Sequence, residues 1–235
     1  SLKRGKINYG EIIYKGKSSK EIFFSTYVCH PSMANNELSG PCISIFLTEW
    51  LSKIKTRFTY RFVYIPETIG SLIYLSKNLK KLKKNVIAGF NLSCCGDERT
   101  YSLLPSRKDN TLSDKIAKHV LRWTYKNYKC YNWSDRGSDE RQYCAPGIDL
   151  PIASIMRSKY GTYPEYHTSL DNLKDVVTPK GLNDTFVLYQ KVILALENNY
   201  FPKSTILGEP QMSKRDLYHS ISIKNIYKKN NYIKL

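Results

Sequence analysis

The chain has 235 residues, 41% hydrophobic and 24% charged, which is enough for one large domain with a substantial core. No stretch approaches the roughly 20 consecutive apolar residues that cross a bilayer, so no membrane span is expected. The net charge of +17 comes from lysines scattered along the chain, with modest clusters at 80–84 and 224–229. With no helix-turn-helix or zinc finger evident, specific nucleic-acid binding is not expected.

The start, SLKRGKINYGEIIYKG, has no apolar core of a signal peptide and no initiating Met, which fits a processed or trimmed chain. Residues 21–28 (EIFFSTYV) read as a buried strand that ends at Cys29-His30-Pro31. A helix follows over 39–54, opened by Ser-Gly-Pro, with apolar residues at helical spacing. Residues 58–65 (FTYRFVYI) form a second strand, halted by Pro66, and 71–84 a basic helix. A third strand, 86–93 (VIAGFNLS), ends in Cys94-Cys95-Gly96-Asp97. A helix spans 112–128 with Ser113 as its cap, a fourth strand spans 150–156, and a long helix spans 179–198. Strands alternating with helices argue for an α/β layered sheet over 1–200, followed by a basic C-terminal tail over 201–235. Six cysteines without a C-x-x-C pair read as reduced thiols, which points to the cytoplasm.

His30, Glu67 and Asp97 each fall just past the carboxyl end of a predicted strand, the edge where open α/β sheets bind ligands. Glu67 is a carboxylate at a strand tip, suited to a general base, a cation ligand or a helix N-terminal acid. In YHTSLDN, His167 and Asp171 either share one face of a helical turn or meet as a ligand and the acid that orients it. Asp139, Glu140 and Arg141 lie in a charged loop suited to a substrate terminus. Arg141 and Arg157 are candidate carboxylate-binding guanidinium groups.

CHPSMANNELSG, IPETIGS, NLSCCGDERTYS, SDERQYCAPGIDLP, YPEYHTSLDN and GEPQMSKRDLY, in this order, resemble the bacterial aminopeptidase-like family of uncharacterised proteins. That family is related to the co-catalytic zinc aminopeptidases and to the glutamate-carboxypeptidase-type metallopeptidases. The resemblance implies a three-layer α/β/α sandwich on a mixed, mostly parallel sheet. It also implies further segments on both sides of this chain in longer relatives. It casts His30 and His167 as metal ligands, Glu67 as the base, and Glu37 or Asp97 as the acid completing a single zinc site, one ion being expected rather than two. The position of the bridging aspartate falls on Asn36, and Thr68 and Ser93 replace two further carboxylates. Asp139, Arg141, Arg157 and Tyr166 are then substrate contacts, and Asp171 the support of His167. The implied activity is zinc-dependent hydrolysis of a peptide or amide bond. The alternative is a catalytically degenerate binding module, linked to surface-polysaccharide biosynthesis.

Overall fold

The structure, a computed structural model, describes residues 5–208 and 211–215. In chain order the elements are β1 (Gly10–Tyr14), β2 (Glu21–Tyr27), a π-helical turn (Ala34–Leu38), α1 (Ser39–Ser52), β3 (Thr59–Ile65), α2 (Ile69–Asn85) and β4 (Val86–Leu92). Next come β5 (Ser102–Leu104), α3 (Leu112–Thr124), β6 (Lys129–Cys130), a 3-10 turn (Trp133–Asp135), α4 (Glu140–Tyr143), β7 (Ile152–Met156) and α5 (Pro179–Glu197). The strands form a seven-stranded sheet in the order β1-β3-β2-β4-β7-β5-β6. Pairs β2–β3, β2–β4, β4–β7 and β5–β6 are parallel, while β1–β3 and β5–β7 are antiparallel.

Side-chain alternation along β2 decides the layering, because successive residues of a strand face opposite sides of the sheet. Ile22 and Phe24 join Phe62 and Phe90 in the larger core, under α1, α3 and α5. Phe23 points the other way and packs with Val63, Tyr74, Leu75 and Tyr143, under α2 and α4. A strand buried on both faces carries no polar alternation, and all seven residues of β2 are buried. The expected α/β/α sandwich is therefore the observed architecture.

Two glycines let helices approach the strand ends that matter below. A Cβ on Gly40 would lie 2.4 Å from the Leu92 carbonyl oxygen, so the first turn of α1 rests directly on the end of β4. A Cβ on Gly181 would lie 2.0 Å from the Gly96 oxygen, which fixes the start of α5 against the loop carrying Asp97.

Some expectations are corrected. Thr111, not Ser113, caps α3 and shares a reciprocal box with Asp114. Ser113 instead receives the Gly89 N–H at 2.8 Å and donates to the Pro151 carbonyl at 2.5 Å, tying α3 to two strands. Helix α2 begins at Ile69, and α3 ends at Thr124 where the sequence reading extends it to 128. Strands β1, β5 and β6 have no counterpart among the sequence-derived elements.

The chain divides into two compact units, Ser1–Asn199 and Tyr200–Leu235. In the second, the described residues include a 3-10 turn, Ser213–Arg215. The Lys224–Lys229 cluster, and Glu209, Pro210, Asp216, Leu217 and Tyr218 of the GEPQMSKRDLY motif, lie outside the described residues. No helix among the described residues is long and apolar enough to cross a membrane.

Candidate active site at the carboxyl edge of the sheet

Strand β2 lies between β3 and β4, so the chain leaves β2 for one neighbour and later returns to its other side. In open α/β sheets such a reversal is where a ligand crevice lies, at the carboxyl ends of the parallel strands. His30 follows β2, Glu67 follows β3, and Asp97 follows β4.

Glu37 determines how His30 stands. Its Oε1 lies 2.5 Å from the His30 Nδ1, and its Oε2 receives the Cys29 N–H at 3.0 Å. Burial pushes the Glu37 carboxyl pKa up, while the hydrogen bonds from His30 and Cys29 pull it down. With Nδ1 engaged, Nε2 is the ring nitrogen left to face the crevice. His167 comes from a distant loop to lie beside it, with ring centroids 4.9 Å apart. Tyr166 stacks on His167 at 3.9 Å with the rings 17° from parallel, bracing the imidazole from behind. Burial, together with the charges of Cys94, Glu67 and Glu37, pushes the Tyr166 phenol up to about 12. The phenol is thus in the field of both carboxylates.

The backbone at Glu67 is strained. Thr68 has φ 61° and ψ −64°, and the Ile69 N–H reaches back to the Glu67 carbonyl at 2.6 Å. This is a γ-turn of the rarer, positive-φ kind, which a β-branched residue adopts at a cost. The turn is held from below. Asp139 is fully buried, and its Oδ1 accepts the Thr68 N–H at 2.7 Å and the Ser71 hydroxyl at 2.8 Å. The neighbouring Ser138 hydroxyl donates to the Glu67 Oε1 at 2.7 Å. Burial pushes the Asp139 carboxyl up to about 7, with the charges of Glu67 and Glu140 adding to burial and its two hydrogen bonds opposing it. His167 (φ 57°), Cys94 (φ 51°) and Ser32 (φ 64°) also have positive φ, so four of the six such non-glycine residues among those described lie along this edge.

Several carboxylates expected at the rim face inward instead. Asp171 does not touch His167. It receives Asn35 N–H at 2.7 Å, Asn36 N–H at 3.0 Å and the Tyr163 hydroxyl at 3.1 Å, and so anchors the π-helical turn. Asp97 is not a free ligand, because its oxygens accept from Ser158 N and Oγ, Arg99 N and Asn35 Nδ2. Asp139 supports the Glu67 turn from beneath and does not line the crevice. Arg157 is buried, with its guanidinium stacked 3.9 Å above the Tyr101 ring. Arg141 is exposed and donates to the Thr68 hydroxyl at 3.0 Å, which keeps it near the turn. Tyr27, Ser138 and Tyr163 were not legible as site residues, since lone hydroxyls in buried strands and loops carry no spacing signal.

Asn36 is buried. The Tyr27 and Ser93 hydroxyls share a hydrogen bond at 2.5 Å, and Ser93 Oγ also lies 3.3 Å from the Asn36 carbonyl. The Asn36 Nδ2 lies 2.7 Å from the Tyr27 hydroxyl. The Asn36 Oδ1 is left with no partner, although buried.

The sequence matches a domain of unknown function, DUF4910, over residues 1–199. The chain belongs to that family. A Clostridium acetobutylicum protein, whose name joins polysaccharide biosynthesis to an aminopeptidase-like domain, is 42% identical over 226 residues, covering 94% of this chain and 50% of its own. A crystal structure named for a peptidase of that species superposes with a TM-score of 0.81 at 41% identity, covering 88% of this chain and 49% of that one. A zinc aminopeptidase of Bacillus subtilis shares the fold with a TM-score of 0.64 at 18% identity, over 81% of this chain and 50% of that one. This chain spans about half the length of these relatives.

The zinc implied by the resemblance can be tested against the donors present. Two imidazoles on one tetrahedral ion at about 2.0–2.1 Å would have centroids about 5 Å apart, so the His30–His167 spacing is suitable. The third donor is not. Glu37 is engaged with His30, Asp97 with Ser158, and Asn36 offers only a neutral amide oxygen. Among the described residues no group of three His, Cys, Asp or Glu side chains is placed to hold a metal ion. The donor set does not fit the zinc site that the resemblance implies.

Proposed function

We propose that this DUF4910 domain is a hydrolase of the aminopeptidase type, acting on the amide bond of a peptide or small molecule, with Glu67 as the proton-transfer group. The observation that carries the reading is the setting of Glu67. Its carboxylate is fixed by Ser138 and a strained γ-turn, on the same sheet edge as two adjacent imidazoles. A carboxylate so held can take a proton from water attacking a carbonyl and return it to the leaving amine. The His30 Nε2, its tautomer set by Glu37, can accept a hydrogen bond from the substrate's amine. Arg141, exposed beside Thr68, can pair with a substrate carboxylate. No step here requires the zinc for which the donor set is short.

The neutral residue at Asn36 favours a second reading, a binding module without turnover, and the name of the Clostridium relative, which refers to polysaccharide biosynthesis, suggests a glycan as its ligand. One experiment separates the two. A panel of aminoacyl anilides, dipeptides and N-acylated amino sugars is incubated with the wild type and with Glu67→Gln. The hydrolase reading expects turnover of at least one amide, falling about 10²–10⁴-fold in the variant. Turnover that survives Glu67→Gln would refute the role of Glu67. Absence of turnover across the panel, with glycan binding unchanged by the substitution, would replace the first reading with the second.

A further inference from the structure

A cavity of about 360 Å³ lies at the opposite, amino edge of the sheet. Its walls are the turn between β1 and β2, the amino ends of β2 and β3, and the end of α2. The seven residues of β2, at about 3.3 Å each, set it ~20 Å from the crevice. A small molecule held here does not reach Glu67.

The turn is pinned in place. The Lys17 and Ser18 N–H groups donate to the Thr56 and Arg57 carbonyls at 3.1 and 2.8 Å. Thr59 Oγ1 receives the Gly16 N–H at 3.2 Å and donates to the Ser18 carbonyl at 2.9 Å. A Cβ on Gly16 would lie 2.1 Å from the Phe58 carbonyl oxygen, so glycine alone permits this approach. Lys15 and Lys17 flank that glycine, and together with Lys81 of α2 they line the cavity.

Charge accounting points to the ligand. The three ammonium groups have no ion pair among the described residues. They are not needed by the carbonyl end of α2, which Lys20 meets by donating to the Lys84 carbonyl at 3.1 Å. Arg61, buried in the lining, gives four of its five N–H groups to Glu21, Glu11 and Tyr74; the fifth, on Nη2, has no partner among the described residues. Three lysines and Arg61 against Glu11 and Glu21 leave two positive charges in excess. A phosphomonoester brings about −1.5 to −2 at neutral pH, whereas a carboxylate brings a single charge. The volume is more than one phosphate fills and falls at the small end of ligand pockets, which begin near about 300 Å³.

We propose that this cavity binds the phosphoryl group of a small phosphorylated molecule, at a site separate from the carboxyl-edge crevice. Lys15, Lys17 and Lys81 repel one another in the empty protein, and a bound dianion relieves that repulsion. The inference does not depend on turnover at Glu67.

The test is calorimetric titration of the full chain at fixed ionic strength, so that screening is constant. The probes are inorganic phosphate, glucose 6-phosphate and glucuronate, a sugar of similar size with one carboxylate. The proteins are the wild type, K17Q/K81Q and K126Q/K191Q, which loses the same charge from exposed positions elsewhere. The wild type is expected to bind one glucose 6-phosphate per chain, at least about 10-fold more tightly than glucuronate. K17Q/K81Q should weaken that binding at least about 10-fold, and K126Q/K191Q should leave it unchanged. Inorganic phosphate separates the sources: weaker binding than glucose 6-phosphate shows that the attached sugar is held too, equal binding that the phosphoryl group alone is, and either upholds the site. Equal losses in the two double variants would overturn the proposal, because net charge rather than the cavity would then bind the anion. So would the absence of saturable binding in the wild type, or glucuronate bound as tightly as glucose 6-phosphate. These last two outcomes need no variant, so they decide the matter even if K17Q/K81Q fails to fold.

Discussion

Replacing Asp139 by Asn should abolish a pH-dependent loss of stability that the wild type carries between about pH 4 and pH 7. Asp139 is fully buried, and burial raises its carboxyl from 3.8 to about 7. At 1.36 kcal/mol for each tenfold change in proton affinity, the folded state holds this proton more tightly than the open chain by ~4 kcal/mol. The sign is set by which state is protonated. Below about pH 4 both states carry the proton, and the fold keeps its full stability. Between 4 and 7 the unfolded chain has lost the proton and the native state has not, so stability falls as pH rises. Above 7 both are ionised and the penalty is complete. Asparagine does not titrate, and its amide oxygen can still accept from Thr68 N and Ser71 while its NH₂ occupies the place of the unpartnered Oδ2. The assay is urea unfolding of both proteins from pH 4 to pH 8.5. The stability of D139N relative to wild type should grow by ~4 kcal/mol across that range, most of it before pH 7.5. Two curves that stay parallel within about 0.5 kcal/mol would refute the reasoning, because Asp139 would then ionise in the fold as it does in the open chain.

Thr68→Gly should stabilise the chain by ~1 kcal/mol, since glycine accepts the positive φ of the γ-turn and the relief of about 1–3 kcal/mol is partly offset by glycine's greater unfolded-state freedom. It should also lower turnover by loosening the aim of Glu67; unfolding and kcat measured together check both, and a variant that gains neither stability nor loses rate contradicts the strain. Arg61→Leu should cost ~3–5 kcal/mol, because Arg61 meets Glu21 through Nε at 2.6 Å and Nη2 at 2.8 Å and its loss leaves a buried carboxylate unpaired. The double variant Arg61→Leu with Glu21→Leu should recover much of that loss in thermal unfolding; recovery of none would mean that Glu21 is not the source of the cost.

The three-layer sheet was legible because β2, β3 and β4 are apolar runs bounded by helix-period segments, and two-sided burial writes itself as hydrophobicity. Strand β1 was not, because four of its five residues are exposed and it is defined by pairing with β3, such as Glu11 with Val63, rather than by pattern. His30 and Glu67 could be read from their places after strand ends, and His167 from the motif YHTSLDN. The destinations of the acids could not. Asp171 and His167 sit close in sequence, yet His167 has φ 57° and the chain turns there, so the helical spacing that would bring them together never forms. Asp97 looks like a ligand by position, but Ser158 and Asn35 reach it from segments distant in the sequence. A carboxylate's partners are set by tertiary contacts, and one-dimensional spacing reports only local ones.

The inward-facing acids bear on whether the crevice is a working site or a decayed one. Asp97, Asp139, Asp171 and Glu37 each accept hydrogen bonds from at least two groups, and each holds a loop carrying His30, Asn36, Glu67 or the Asp97 turn itself. Such bonds alone would be expected of any stable fold. The positive φ at Thr68 and His167 would not, since a β-branched residue and a bulky one in that region cost about 1–3 kcal/mol each. Drift at a site without function would relieve them, and a glycine at either position would do so. Both strained residues instead adjoin or constitute the groups assigned to the chemistry: Thr68 follows Glu67, and His167 is the imidazole beside His30. Strain held at those two points by anchored acids beneath is what a positioned site requires, and it favours a crevice that still binds and orients a ligand.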